Sequence, residues 1–400
     1  MYTLRRNNQF SMGSRSSLSW AGVTARTLIA LAGFLLSILP MANALAGGSG
    51  GSSHDWRLHG RLQLDGALYD SNNPLFTDDV MVRRGRLAFA GNLFSGLSMK
   101  MEYEFSGSTI GPKSLWFRQK LGKKGVLTVG HFKVPVSLQT ATSSRYNTFM
   151  ERALPNVGTA GYRLGAMVST YGHFWSASSG ITSGGLDDKY KVGNDGVGFF
   201  TRGVLNPVRS KNHLLHLGIS SEIRRFDSSD ALRFRARPES DVTNVRLVDT
   251  LNLPDLDQSL QYTAEFAWKR RSLQLQAEYT GLNVTRNIGS DLSFSGWYAQ
   301  AGWFITGESR KYNRRNGSFR RTNPEHAFGA WEIAVRYSEL DLNSDDILGG
   351  QESNRSIALN WYTTKSVRLS LNYVDASARP NSLNIDDDEK VIQARFQFLF

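Results

Sequence analysis

The chain ends in the stretch Glu389-Lys390-Val391-Ile392-Gln393-Ala394-Arg395-Phe396-Gln397-Phe398-Leu399-Phe400. Apolar residues fall on alternate positions from Ile392 to Phe400, and polar residues such as Arg395 stand between them. In a β-strand this alternation places lipid-compatible side chains on one face and water-compatible side chains on the other. The pattern predicts a strand of a membrane-spanning β-barrel, and an edge strand of a soluble sandwich is the alternative.

The beginning of the chain is typical of a secretory signal peptide. Four arginines precede an apolar run over residues 28–39, and Ala44-Leu45-Ala46 is a small-x-small cleavage site. We predict a signal peptide over residues 1–46 and a flexible leader over 47–55, and we exclude both from the fold. The apolar run is shorter than the roughly 20 residues of a spanning helix, and no later stretch is long enough.

Composition narrows the class of protein. The chain has no cysteine, which excludes a disulfide scaffold and a thiolate metal site, and its mean hydropathy of −0.34 is too polar for a bundle of membrane helices. Without the four arginines of the signal peptide, the formal net charge falls from +12 to +8. This balance suits nucleic acid, acidic lipid or small anions. A secreted chain without a nucleic-acid motif favours small anions, and we expect no nucleic-acid partner, metal or cofactor.

The same alternation recurs sixteen times. It is unbroken from Trp56 to Tyr69, where Arg61, Gln63 and Asp65 share the polar face. We therefore predict an all-β, transmembrane antiparallel β-barrel over residues 56–400, because outer-membrane barrels have an even number of strands. The sixteen predicted strands are 56–69, 80–92, 96–106, 113–121, 125–132, 161–170, 173–182, 196–205, 212–222, 258–268, 272–281, 294–306, 329–340, 354–363, 366–376 and 390–400.

The lengths of the connections support a barrel with short periplasmic turns and longer external loops. The predicted periplasmic turns include 93–95, 122–124, 269–271 and 364–365. The predicted external loops include 133–160, 223–257, 282–293, 341–353 and 377–389. Segment 307–328 breaks this rule, since it lies on the periplasmic side but is long and carries six basic residues. We favour a basic extension of the periplasmic mouth over a missed hairpin.

Charged residues face the predicted lumen, which in a sixteen-strand barrel is an aqueous channel. Arg84 and Arg86 lie opposite Leu87 and Phe89 on the second strand. Arg83 would lie on the lipid side but near the outer end of the strand, where it can reach the interface or the mouth. On the lumen face of the third strand, Glu102 and Glu104 accompany Lys100.

A second group of arginines recurs with period two, at Arg233, Arg235 and Arg237. An extended segment presents such residues on one side at intervals of roughly 7 Å. Because like charges on one face repel, the row indicates a path for phosphate-type oxyanions. The alternative is a solvated loop, or pairing with the acidic residues nearby, which are Glu222, Asp227, Asp230, Glu239 and Asp241.

The external loop 133–160 follows the fifth strand, which is the position of the inward-folded constriction loop in general porins. It contains Ala141-Thr142-Ser143-Ser144-Arg145-Tyr146 and Met150-Glu151-Arg152. Neighbouring hydroxyls flanked by arginines can donate hydrogen bonds to an oxyanion without trapping it. An ordinary turn rich in serine and threonine is the alternative.

Together these motifs resemble the phosphate-selective porin O and P family. The resemblance spans the chain after the signal peptide and is carried by Val82-Arg83-Arg84-Gly85-Arg86-Leu87, Ala141-Thr142-Ser143-Ser144, Met150-Glu151-Arg152, the segment 233–239, Thr306-Gly307-Glu308, Gly329-Ala330-Trp331-Glu332, Arg336-Tyr337-Ser338 and the segment 393–400.

The resemblance implies a homotrimer of sixteen-strand barrels in the bacterial outer membrane. It implies an arginine ladder of Arg84, Arg233, Arg235 and Arg237, and a constriction that includes Ser143, Ser144 and Arg152. Thr140 stands where family members that this chain resembles have a lysine. Glu102 or Glu104 could supply the acidic residue of the family's site, or could pair with Lys100. The terminal Phe400 resembles the signal that hands such barrels to the insertion machinery.

These patterns predict an anion-selective outer-membrane porin, with inorganic phosphate as the expected substrate and other small anions, lipid and copies of itself as further partners. A polyphosphate or weakly selective anion porin is the alternative, and a plugged structural barrel is a further one. We do not expect an enzyme, because the seven histidines are scattered and none lies in a serine-histidine-acid motif.

Overall fold

The computed structural model describes residues 55–186, 195–383 and 388–400, and the predicted signal peptide lies outside them. Sixteen of the described strands form one closed antiparallel barrel. The barrel strands are β1 Arg57–Asp70, β2 Asp79–Phe94, β3 Leu97–Glu104, β4 Gly111–Leu121, β5 Gly125–Lys133, β6 Tyr162–Tyr171, β7 Trp175–Thr182, β8 Val197–Leu205, β9 His213–Arg225, β12 Leu256–Arg270, β13 Leu273–Arg286, β14 Leu292–Phe304, β17 Ala330–Ser344, β18 Ile347–Tyr362, β19 Val367–Arg379 and β20 Asp388–Leu399. The predicted number of strands is confirmed.

Short elements lie between the barrel strands. The hairpin of β10 Arg235–Ala236 and β11 Val248–Asp249 belongs to the connection 226–255. The hairpin of β15 Tyr312–Asn313 and β16 Ser318–Phe319 belongs to the connection 305–329. A single helical turn, Leu138–Ala141, lies after β5. Among the described residues, no helix has the length and apolar character needed to cross a membrane.

The barrel closes where β1 pairs with β20, from Arg61 opposite Leu399 to Asp70 opposite Lys390. The alternation predicted for the last strand is confirmed, since Arg395 is 2% exposed whereas Ile392 is 50% exposed. Polar side chains therefore point into the barrel and apolar side chains point outward, the reverse of a soluble protein. The outer wall also carries stacked aromatic pairs, such as Trp331 on Trp361 with ring centroids 5.1 Å apart.

Two of the loops predicted on the external side are shorter than expected. The predicted loop 341–353 is wrong, because β17 and β18 continue to a two-residue turn at 345–346. Gly349 and Gly350 are typical of a loop, but Asn343 pairs with Leu348 and the ladder continues past them. The predicted loop 282–293 is likewise reduced to 287–291.

The placement of Arg83 on the lipid side is wrong. Gln63 of β1 faces Arg84 and Leu64 faces Val82, so Arg83 is the extra residue of a β-bulge. A bulge interrupts the alternation of the strand and redirects a side chain. Arg83 consequently points into the lumen, where its Nε donates to the Oε1 of Glu151 at 2.9 Å.

The basic connection 305–329 is neither a simple extension of the periplasmic mouth nor a missed hairpin of the barrel wall. It contains a hairpin, β15–β16, but these strands pair only with each other and add nothing to the barrel wall. The segment folds into the lumen, where Arg310 is 4% exposed and Phe319 is 1% exposed. We call it the inner hairpin segment. It lies at the end of the barrel that also carries short turns such as 122–124.

We expect an added charge to destabilise the folded barrel on the outer face of β6 much more than on its inner face. Val168 is 48% exposed on the outer wall, whereas its neighbour Ser169 lines a cavity inside the barrel. Val168→Arg should destabilise the folded barrel by up to about 2–4 kcal/mol, because the guanidinium enters hydrocarbon. Ser169→Arg should lower the urea midpoint of unfolding in lipid vesicles much less, because its charge enters a hydrated cavity and meets only repulsion from the basic residues there. Equal midpoints for the two variants would contradict this assignment of faces.

Candidate functional site

Loop 134–161 folds into the lumen and is held by one carboxylate, that of Glu151. Its oxygens accept hydrogen bonds from Arg83 Nε at 2.9 Å, Arg84 Nη2 at 3.4 Å and Arg395 Nη2 at 2.6 Å. Arg395 also forms a two-pronged ion pair with Asp65, its neighbour across the β1–β20 seam, with Nε 2.6 Å from Oδ1. We call these five residues the seam cluster. It ties the loop to the strands that close the barrel.

The three arginines of the seam cluster are paired with its two carboxylates and, at Arg83, also with Asp241 of the connection 226–255. Burial alone would raise the pKa of the Glu151 carboxyl, but the guanidinium groups of Arg83, Arg84 and Arg395 outweigh burial and hold that pKa well below its ordinary value. A carboxyl whose pKa is lowered by folding stabilises the folded state above its ordinary pKa. That stabilisation is lost as the pH falls through the lowered pKa. The loop is therefore held throughout the neutral range.

Side chains of the barrel wall also bind the backbone of loop 134–161. Arg368 Nη1 donates to the carbonyl of Asn147 at 2.7 Å, and Asn360 Nδ2 donates to the carbonyl of Thr148 at 2.9 Å. Such bonds satisfy buried carbonyl groups of an irregular segment that would otherwise lose their contacts with water. They fix the loop along β18 and β19.

The connection 226–255 is a second inward element. Glu239, in a left-handed conformation with φ of 49°, is 4% exposed and forms an ion pair with Arg336 of β17. The hydroxyl groups of Ser338 and Ser356 donate to the same carboxylate at 2.5 and 3.2 Å. This connection therefore occupies the lumen beside β17 and β18.

The inner hairpin segment meets loop 134–161 inside the barrel. Arg310 Nη2 donates to the carbonyl of Tyr146 at 2.7 Å, and the backbone N–H of Phe319 donates to Thr142 Oγ1 at 3.2 Å. Phe319 also packs against Leu138, which belongs to the helical turn of the loop. Loop 134–161, the connection 226–255 and the inner hairpin segment together fill the part of the lumen next to the wall strands β9, β12–β14 and β17–β20.

A cavity of about 770 Å³ remains against the walls of β4–β8 and opens near the turn 122–124. Seven basic residues and no acidic residue line it in the part of the chain that the structure describes. The basic residues are Arg118, Lys120, Lys123, Lys124, Lys133, Arg202 and Arg315. We call this space the basic chamber. A wall of one charge sign raises the local concentration of anions and excludes cations.

A smaller cavity of about 160 Å³ lies near the opposite end of the barrel. Its lining carries both signs of charge, since Arg163, Arg224 and Arg233 stand beside Asp195 and Glu222. Arg163 Nη1 lies 2.6 Å from Asp195 Oδ2, and Arg224 Nη2 lies 2.6 Å from Glu222 Oε1. The field in this cavity is therefore weaker than the field in the basic chamber.

The residues predicted for the constriction lie on one inward loop but have separate contacts. Ser144 accepts a hydrogen bond from Arg61 Nη1 at 2.7 Å, and Ser143 Oγ lies 3.3 Å from Arg145 Nε. Arg152 donates from Nε to the carbonyl of Gln139 at 3.1 Å, a bond within the loop itself. Thr140 lines the basic chamber and donates from its hydroxyl to Asn156 at 3.0 Å.

Carboxylates pair with the predicted lumen arginines of β2. Arg84 belongs to the seam cluster, and Arg86 Nε lies 2.5 Å from Glu104 Oε2. Glu102 bonds Lys100 Nζ at 2.5 Å and lies 3.4 Å from Arg86 Nη1. Pairing with Lys100, one of the two expectations for these acids, is therefore present.

The row at 233–237 has the predicted alternation, because Arg233 and Arg235 are exposed while Phe234 between them is 5% exposed. Two members of the row carry counter-charges. Arg233 Nε lies 2.6 Å from Asp249 Oδ1, and Arg237 pairs with Asp241. Among the described residues, no carboxylate forms an ion pair with Arg235. The pairing of Arg237 with Asp241 agrees with the alternative that the row pairs with nearby acidic residues. Asp249 was not among the acidic residues predicted as partners.

Sequence reasoning missed the seam cluster and the basic chamber. Alternation alone placed Asp65 and Arg395 on lumen faces, and the pairing of the first strand with the last would have made them neighbours. No comparable signal marks Lys133, the last residue of β5, or Arg315 of the inner hairpin segment. These side chains meet only because the chain folds back into the barrel.

Comparisons of sequence identify related proteins over most of the chain. The family described as "Phosphate-selective porin O and P" matches residues 57–400. "Porin O" of Pseudomonas aeruginosa is 26% identical over 390 residues, covering 86% of this chain and 88% of that protein. An uncharacterised protein of Caulobacter vibrioides is 29% identical over 338 residues, covering 80% of this chain and 68% of that protein.

Solved porin structures share the fold. An anion-selective porin from Comamonas acidovorans has a TM-score of 0.57 at 12% identity, covering 87% of this chain and 100% of that chain. OmpF of Salmonella typhi, solved as a complex with daunomycin, has a TM-score of 0.55 at 9% identity, covering 86% of this chain and 98% of that chain. At such identities the similarity establishes the barrel fold.

We expect Glu151→Gln to loosen loop 134–161, because it leaves Arg84 without an ion pair and removes the loop's charge partner of Arg83 and Arg395, which keep only Asp241 and Asp65. Breaking a buried ion pair costs roughly 3–5 kcal/mol. The variant should unfold at lower temperature in detergent and should admit trypsin at Arg145 or Arg152. Asp388→Asn removes the same charge from the exposed end of β20 and is the matched control. Unchanged protease resistance in Glu151→Gln would show that the wall contacts alone hold the loop.

Proposed function

Because the chain belongs to the phosphate-selective porin O and P family and is a channel-forming barrel of the bacterial outer membrane, we propose that it conducts small anions, with phosphate preferred. The observation that carries this proposal is the basic chamber, which holds seven basic side chains and no acidic one among the described residues. Its volume of about 770 Å³ admits hydrated ions. An anion entering it replaces part of its hydration by charge-assisted hydrogen bonds.

The field of the chamber acts before any specific contact forms. Most lumen cations elsewhere are neutralised, as Arg84 is by Glu151 and Arg233 is by Asp249. In the chamber, Arg202 is paired with Glu265, whereas Lys120, Lys123 and Lys124 have no ion pair within the described residues. These three lysines are exposed at the opening of the chamber, where they attract anions and repel cations over the screening length of about 10 Å at 0.1 M salt.

We further propose that Arg235 and the hydroxyl-rich part of loop 134–161 form stations on the anion path. Arg235 stands exposed on the connection 226–255. Ser143 and Ser144 lie where arginines and hydroxyl groups converge, with Arg61 and Arg145 as neighbours. Several weak sites in series let an ion bind and leave quickly. The name of the anion-selective porin from Comamonas acidovorans supports this class of substrate.

A porin for polyphosphate or for anions in general is the second candidate. The distribution of charge in the basic chamber favours it, because basic residues from β4, β8 and the inner hairpin segment line one cavity, and several of them could contact one chain of phosphates. Thr140, in place of a lysine, also weakens a single tight phosphate site. Titration of the pure channel in chloride with orthophosphate and with short polyphosphate distinguishes the two candidates.

The experiment that tests the proposed function measures single channels in a planar bilayer. A potassium chloride gradient should give a reversal potential on the anion side, and added phosphate should reduce the chloride current at low concentrations. A reversal potential on the cation side would overturn the proposal. Anion preference without phosphate block would favour a general anion porin.

We propose that the mature protein forms a homotrimer after removal of residues 1–46, and that Phe400 is recognised during insertion. Phe400 is 41% exposed and stacks on Phe398 with centroids 5.9 Å apart, so its ring is accessible on the outer wall. A trimer would bury aromatic residues of the outer wall such as Trp56 and Phe89. Light scattering of the purified protein in mild detergent should give three times the mass of the mature chain. The mass of one chain would contradict the trimer.

We expect Arg235 to contribute to conductance as an unpaired charge. Arg235→Gln should lower the anion current about twofold at 0.1 M salt, the effect of roughly 0.5 kcal/mol of Coulomb energy in a water-like dielectric. The difference should disappear at 1 M salt, where screening acts within about 3 Å. The double change Arg233→Gln and Asp249→Asn removes a neutral pair and should change the current little. An unchanged current in Arg235→Gln at 0.1 M salt would place the path away from this row, and an equal loss in both proteins would show that the unpaired charge is not the cause.

A further inference from the structure

Lys133 lies at the boundary between the barrel wall and the constriction loop. It is the last residue of β5, opposite Tyr162 of β6, and it lines the basic chamber together with Thr140. The backbone that follows is fixed, since Val134 donates to the carbonyl of Gly161 at 2.9 Å and its side chain is fully buried. The ammonium group therefore projects from a rigid base.

The surroundings of Lys133 are positive. Arg86 is close by, since its Nη1 donates to the hydroxyl of Tyr162, the residue opposite Lys133, at 3.3 Å, and the charges of Arg152, Arg61 and Arg84 also oppose that of the ammonium. Each of these arginines has an acceptor, which is Ser144 for Arg61, Glu151 for Arg84, Glu104 for Arg86 and the carbonyl of Gln139 for Arg152. Within the described residues, no side chain or carbonyl accepts a hydrogen bond from Lys133.

We propose that Lys133 supplies the anion-binding cation at the inner face of the constriction, in the place of the lysine that position 140 lacks. This inference rests on the proposed anion channel and names one residue that selects its substrate. A partly buried ammonium among four guanidinium groups is unfavourable until an anion neutralises it. An oxyanion of the phosphate class can accept hydrogen bonds from the ammonium while the chamber supplies the surrounding field.

The chemistry of lysine suits a transient site. Its ammonium is a compact, strongly hydrated charge on a flexible stem, so it can follow an ion over several ångströms and release it to water. A planar guanidinium would hold a phosphate in two-pronged geometry and release it more slowly. Lys133 and Thr140 line the same chamber, and we infer that a cation at either position can serve the same ion.

The first experiment is phosphate block of the chloride current through single channels of the full chain. Lys133→Gln should raise the half-blocking phosphate concentration about tenfold, whereas Lys133→Arg should retain block within a few-fold. Lys390→Gln removes the same charge from an exposed position on β20 and should behave as the unmodified protein. Block that is unchanged in Lys133→Gln, in a channel that still prefers anions, overturns the role of Lys133 and leaves the proposed function intact.

The absence of cysteine in the chain allows a second test that separates charge from folding. Lys133→Cys is inserted into the bilayer and then treated with an aminoethyl methanethiosulfonate, which attaches a positive charge to one already folded channel. Phosphate block should return after this reagent. In separate channels treated with the sulfonate-bearing analogue instead, block should be weaker than in the untreated Lys133→Cys channel. Lys390→Cys is the control. Identical block before and after both reagents would overturn the inference.

A compensating change tests the link to position 140. Thr140→Lys, added to Lys133→Gln, should bring the half-blocking phosphate concentration back toward that of the unmodified protein. No recovery would show that the two positions do not serve one ion, and would overturn the claim that Lys133 replaces the missing lysine. A cation-preferring unmodified channel would instead overturn the proposed function, and the inference with it.

Discussion

The rest of the structure depends on the buried carboxylate of Glu151 and the three arginines around it. Arg83 and Arg84 come from a bulge in β2, and Arg395 comes from the last strand, where it also pairs with Asp65 of the first. The cluster therefore joins the seam of the barrel to the loop that narrows it. A carboxylate on the loop is essential at this point, because Asp65 and Asp241 pair with Arg395 and Arg83 but leave Arg84 unpaired, and the three guanidinium groups repel one another in a space with little water.

Once loop 134–161 is fixed, it determines which part of the lumen stays open. The inner hairpin segment binds the loop through Arg310 and Phe319, and the connection 226–255 fills the side next to β17 and β18. The remaining basic chamber lies along β4–β8. Charge follows a similar division: the cations that hold the fold are bound to carboxylates, as Arg395 is, or to backbone carbonyls, as Arg368 is, whereas those of the chamber are largely without an ion pair among the described residues. Basic residues thus support the structure in one part of the lumen and the proposed conduction in the other.

Sequence patterns predicted the wall far better than the contents of the barrel. All sixteen strands were found, because alternation is imposed on every strand by lipid on one side and water on the other. Arg83 was misplaced, since a bulge shifts the alternation by one residue and leaves no mark in the sequence. The arginine row at 233–237 was recognised, but the partner of Arg233 is Asp249, sixteen positions away on the facing strand of a short hairpin.

The sequence by itself determined the fold class, the number of strands, the resemblance to a porin family and the excess of positive charge. These features are local or additive, so they can be read from one stretch or from composition. Only the tertiary structure decided which charges are neutralised, since Glu151, Arg395 and Asp65 are distant in sequence and meet where the barrel closes. It likewise gave Lys133 and Thr140 a common chamber. The physical reason is that the field at a point in the lumen depends on distances between side chains, which the chain sets only when its loops fold inward.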